Sequence, residues 1–97
     1  MTDYYRVIAR AVGDLGENNG KSRRALYERA RTTLLAQLRR CDPPLSESEI
    51  TQERISLEEA IRNFEAEVTH RERELAMLEK VYRDVEGETR RRHPRER

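Results

Sequence analysis

Between Leu45 and Gly87 the sequence contains neither proline nor glycine, and that stretch constrains the fold more than any other feature. Proline removes a backbone donor and clashes with the preceding turn, and glycine costs about 1 kcal/mol in a helix interior. Without either, a run of about 40 residues is free to form one helix, about 60 Å long at 1.5 Å per residue. Its apolar residues keep heptad register. One row reads Arg54, Ile61, Val68, Leu75 and Tyr82, and the other Ile50, Leu57, Phe64, Arg71, Leu78 and Val85. Alternating spacings of three and four are the pattern of a coiled-coil-like seam. Arg71 interrupts the seam beside Thr69 and His70, either as a polar layer that sets register or as a bend. The reading adopted is a continuous helix.

The start of this helix is marked twice. Ser46 stands three residues before Glu49, the spacing of a capping box, and Leu45 and Ile50 occupy the two positions of a hydrophobic staple. Upstream, Pro43-Pro44 forbids helix continuation. Before that, two shorter amphipathic segments are predicted. Tyr4, Ile8, Ala11 and Leu15 recur at 4-3-4 spacing, with Tyr5 and Val12 widening the stripe. Gly16 and the Asn18-Asn19-Gly20 turn then separate this segment from a second, whose apolar face holds Leu26, Ala30, Leu34, Leu38 and Cys41, with Tyr27 and Leu35 alongside. The opposite face is read as rich in arginine: Arg23, Arg24, Arg29, Arg31, Arg39 and Arg40. The short polar turn makes the pair an antiparallel helical hairpin.

The expected fold is therefore all-α: a hairpin over about 3–15 and 20–41, then one long helix over about 47–86. Residues 1–87 form a single helical domain in this reading, and 88–97 a basic tail expected to be disordered.

Composition matters here because it limits the core. Hydrophobic residues make up 35% of the 97 and charged residues 40%, whereas a chain with one compact core is nearer half apolar. Either the apolar residues are concentrated into stripes or the core is shared with a partner. Sustained periodicity argues against disorder. A helix of about 20 residues spans about 30 Å and cannot cover one twice as long. Leu75, Leu78, Tyr82 and Val85 would then lie bare in a lone copy. The expectation is an oligomeric helical bundle or coiled coil, a dimer favoured, with Ile61, Phe64, Val68, Leu75, Leu78, Tyr82 and Val85 at its interface.

Charge is segregated along the chain. Residues 1–41 carry nine Lys/Arg against four Asp/Glu, a net of +5; residues 42–89 carry six against fourteen, a net of −8; residues 90–97 carry a net of +4. The acidic part flanks the seam: Glu58, Glu65, Glu72, Glu79 and Glu86 on one side, and Glu53, Glu67 and Glu74 on the other. Two bare copies of this helix would set Glu against Glu in either orientation. Flanking charges choose partners in coiled coils, and these ask for basic neighbours such as the hairpin.

No arrangement for nucleophilic catalysis can be assembled, and no cofactor motif is present, so the chain is read as not an enzyme. Glu67-x-x-His70, with Glu74 one turn on, has the spacing of a carboxylate-bridged di-iron helix. It lies beside the seam, has no second copy in the chain, and is read as a solvated face, with no metal assigned. Tyr4, Tyr5, Tyr27 and Tyr82 fall on or beside apolar stripes and are read as packing residues with hydroxyls at the wet edge. Arg90, Arg91, Arg92, Arg95 and Arg97 could neutralise phosphates. The alternative function is thus a small nucleic-acid-associated protein, although interleaved aromatics for base stacking are missing. His93, beside Pro94, has no partner in sequence. Cys41 is the only cysteine, so no intrachain disulfide framework exists and a reducing, cytoplasmic setting is expected. Asp3, Arg6, Arg10 and Asp14 break the first segment as a signal peptide, and no apolar run approaches the ~20 residues of a membrane span.

Several stretches resemble a short helical module that opens many uncharacterised alphaproteobacterial proteins. They are Tyr4-Tyr5 with Ile8-Ala9-Arg10-Ala11-Val12, then Arg23-Arg24-Ala25-Leu26-Tyr27-Glu28-Arg29-Ala30-Arg31, Pro43-Pro44-Leu45-Ser46-Glu47-Ser48-Glu49-Ile50 and Leu57-Glu58-Glu59-Ala60-Ile61. The resemblance covers roughly the first two-thirds of the chain. It implies a bacterial helical module with no assigned activity and no catalytic residues to transfer, often joined in longer relatives to a membrane-spanning region. After about residue 68 this chain departs from that pattern.

Overall fold

A computed structural model describes residues 2–92 of the chain. It consists of three helices, α1 Tyr4–Gly13, α2 Gly20–Arg39 and α3 Glu47–Arg92, with no strand among the described residues. The all-α expectation of a hairpin followed by a long helix holds. Each hairpin helix ends two residues short of its expected end. The long helix instead carries on through Gly87 to Arg92, so the first part of the stretch read as a tail is helical.

The helix starts follow from their caps. The Asp3 side chain accepts from the Arg6 amide at 3.2 Å, and that of Asn19 from the Ser22 amide at 2.8 Å. Ser46 and Glu49 close a reciprocal capping box: the Glu49 amide donates to Ser46 Oγ at 3.1 Å, and the Ser46 amide to Glu49 Oε1 at 2.8 Å. Each cap satisfies amides that have no intrahelical partner. Serving as acceptor for the Ser46 amide holds the Glu49 carboxyl below its ordinary pKa. Behind the cap, Ile50 is buried and Leu45 half-buried, as a staple requires. The α1 end is tighter than its apolar spacing suggests. The Asp14 amide bonds to the Arg10 and Ala11 carbonyls and the Leu15 amide to that of Val12, so Leu15 joins the core from a turn.

The described residues fall into two compact units, one ending at Glu65 and the other beginning at Ala66. The first has a small core of Ile8, Val12, Tyr27, Leu57 and Ile61, with Tyr4, Leu15, Leu26, Ala30, Leu34 and Phe64 packed around it. All three helices contribute, because each presents its apolar stripe to the other two. Phe64 meets Tyr5 edge to face, with ring centroids 5.7 Å apart. The second unit contains, among its described residues, only the later turns of α3. Val68 and Thr69 are half-buried, and every residue from Arg71 to Glu86 is exposed.

Two expectations about side-chain placement are corrected. Arg54, assigned to a core row, is exposed; a guanidinium cannot displace Leu57 and Ile61 from a core this small without a counter-charge inside it. Arg23, assigned to the solvent face of α2, is 4% exposed and lies among the buried residues. It stands four residues before Tyr27 and seven before Ala30, which places it on the apolar row, and it is tolerated there because its charge is answered.

Candidate protein–protein interface

The first unit shows what covers the apolar face of α3. Arg23 of α2 donates to Glu65 of α3 through Nε and Nη2, both at 3.0 Å, and through Nη1 to Asn18 Oδ1 at 2.8 Å. The Tyr27 hydroxyl donates to Glu65 Oε2 at 2.6 Å. One turn-pair along, Arg31 makes a two-pronged contact with Glu58, Nε at 2.6 Å and Nη2 at 3.0 Å, and also pairs with Glu28. Tyr4 of α1 donates its hydroxyl to Glu53. No side-chain nitrogen or oxygen buried among the described residues lacks a hydrogen bond.

The electrostatics follow from these contacts. Hydrogen bonds from Arg23 and Tyr27 outweigh partial burial and hold the Glu65 carboxyl below its ordinary value; Arg31 does the same for Glu58. Burial, then the carboxylate beside it, pushes the Tyr4 phenol up to about 12, and raises Tyr27 likewise. Glu58 carries the Arg31 guanidinium pKa upward. Thus each acidic edge residue in the covered part of α3 is matched by a group from the hairpin, as the charge segregation asked.

The expected interface residues divide into two groups. Ile61 is buried and Phe64 partly buried by the hairpin of the same chain, so they are covered within one copy, and Val68, half-buried, stands between the two groups. Leu75, Leu78, Tyr82 and Val85 are 62%, 51%, 68% and 55% exposed. Met77 and Val81 are exposed beside them. Those two lie off the heptad rows, so row-based reading passed over them although their apolar character was plain. Of the eight large apolar side chains exposed among the described residues, six lie between 75 and 85. Apolar residues exposed singly are ordinary, whereas this concentration is not.

The remaining candidates are dispersed. Glu67 reaches Arg71 at 3.7 Å and His70 reaches Glu74 at 3.7 Å. The Glu-x-x-His pair is therefore directed to neighbours along its own helix, and no group of three metal-ligating side chains occurs among the described residues. Arg90 is exposed; Arg91 and Arg92 form the last turn of α3; Arg95 and Arg97, with His93, lie outside the described residues. On α2 and at its C-cap, Arg24, Arg29, Arg39 and Arg40 stay exposed while Arg23 and Arg31 face carboxylates. Cys41 is exposed and free. A groove beside Arg31, Leu34, Leu35, Arg54 and Leu57 measures about 150 Å³, less than the roughly 300–1,000 Å³ of small-molecule sites. A wider depression of about 420 Å³ along Thr51, Arg54, Ile55, Glu58 and Arg62 is the open flank of α3. No helix among the described residues is long and apolar enough to cross a membrane. No protein-family model, curated protein or solved structure matches the chain.

Proposed function

We propose that the chain is a non-catalytic helical assembly module that joins protein to protein through residues 71–86 of α3. A second copy is the favoured partner, and another protein the alternative. One observation carries this reading: the segment is exposed throughout and yet holds Leu75, Met77, Leu78, Val81, Tyr82 and Val85. Fully burying such a side chain is worth about 1.5–3 kcal/mol, so covering one that is half exposed gains about 1 kcal/mol. Six of them on each of two copies give on the order of 12 kcal/mol, against about 4–15 kcal/mol for lost freedom on association. The gain and the cost are of the same order, so the flanking charges decide which partner is taken.

Binding phosphate through arginine draws less support, because Arg23 and Arg31 are directed onto Glu65 and Glu58. The likeness to helical modules that open longer bacterial proteins is in keeping with an adaptor role, and a lone free cysteine with a cytoplasmic setting. Mass in solution, for the full chain and for one truncated after Arg71, tests the proposal. A dimer that becomes monomeric on truncation supports it. A full chain that stays monomeric at high micromolar concentration, with its helix content intact, contradicts it.

A further inference from the structure

The exposed stripe has edges as well as a face. Glu72, Glu79 and Glu86 follow Glu58 and Glu65 at intervals of seven. Where that row is covered, the covering hairpin answers it with arginine, Arg31 on Glu58 and Arg23 on Glu65. Two stripes laid face to face would oppose glutamate with glutamate, and like charges across such a seam select against pairing. A second copy offers a surface of the required net sign, because among the exposed side chains of residues 2–40 seven Lys/Arg stand against four Asp/Glu. On α1, Arg6, Val7 and Arg10 are exposed within one helical turn, between Asp3 and Asp14 at the two ends of the helix. Val7, at 55%, is the only large apolar side chain so exposed outside α3 among the described residues. On α2, Lys21 and Arg24 are exposed three residues apart.

We propose that the Leu75–Val85 stripe docks on the basic outer face of the α1–α2 hairpin of a second copy, Glu79 and Glu86 meeting Arg6 and Arg10 around Val7. The proposal rests on reading residues 71–86 as the interface. Each copy carries one stripe and one hairpin face, so a two-fold pair that exchanges them uses every face once, as an isologous dimer does.

Charge inversion tests this on the full chain, because it changes exposed side chains only. Sedimentation equilibrium is run on Glu79→Arg/Glu86→Arg and on Arg6→Glu/Arg10→Glu, separately and mixed in equal amounts, with circular dichroism to check helix content. Each variant alone should show a dimer dissociation constant at least about ten-fold higher than that of the unchanged chain, since like charges then meet across the contact. The mixture should regain the dimer, because a basic stripe then meets an acidic hairpin and the reciprocal contact is the original one. If Glu79→Arg/Glu86→Arg dimerises as tightly as the unchanged chain, and Arg6→Glu/Arg10→Glu is unaffected, a second α3 occupies the stripe. That result overturns the docking proposal and leaves the assembly reading standing. An unchanged chain that never dimerises overturns both.

Discussion

Arg23, 4% exposed, is held by Glu65 from the third helix through two hydrogen bonds of 3.0 Å, with the Tyr27 hydroxyl completing the carboxylate's shell at 2.6 Å. A buried guanidinium is stable only while its counter-charge stays in place. Glu65→Gln is expected to destabilise the first unit by about 1–3 kcal/mol, because it removes the carboxylate charge that Arg23 holds at 3.0 Å. Replacing both, as Arg23→Met/Glu65→Leu, should recover part of that loss. Urea midpoints of the three proteins check the order.

The same contacts set the pH range of stability. The folded values of Glu58 and Glu65 lie below the ordinary 4.5. Their contribution is therefore complete above 4.5 and is lost as pH falls through the lower folded values. The Tyr4 and Tyr27 phenols are shifted the other way, Tyr4 to about 12. Their contribution is complete below 10 and is lost as pH rises towards the folded values. Thermal melts should show a plateau between these limits, with an acid limb flattened in Glu58→Gln/Glu65→Gln and an alkaline limb flattened in Tyr4→Phe/Tyr27→Phe.

At the start of α3, Ser46 Oγ accepts from the Glu49 amide at 3.1 Å. Ser46→Ala removes that acceptor and should cost about 1 kcal/mol, with Ser46→Asp close to neutral. Chemical denaturation followed by circular dichroism measures both.

Substitution on the stripe should behave in the opposite way. Leu75→Asp/Leu78→Asp alters side chains that are more than half exposed, so the melting of the first unit should shift by no more than the equivalent of about 0.5 kcal/mol. Self-association, read by light scattering on the same samples, should be lost.

Much of this was legible in residue order. The Ser46/Glu49 box, the break at Pro43-Pro44 and the heptad rows through Leu57 and Val85 are local signals, and the helices follow them. Arg23 was misplaced because residue type outweighed position: four residues before Tyr27 and seven before Ala30, it belongs to the buried row. Its tolerance there depends on Glu65, 42 residues away in sequence, which local spacing cannot reveal. The pairing of Glu58 and Glu65 with α2 was visible only as segregated charge. Met77 and Val81 were missed because an exposed helix has no need to confine its apolar residues to two rows. The ends of α1 and α2 fell short because a turn can deliver Leu15 to the core as well as a helix can.

Hydrogen exchange along α3 at increasing chain concentration tests the assembly claim most directly, since helical turns without tertiary cover open readily while covered ones do not. From sub-micromolar to several hundred micromolar, amides of residues 75–85 should slow markedly, while those of 57–65, already covered by the hairpin, stay as they are. Amides of 75–85 that exchange at one unchanged rate across that range would contradict the account.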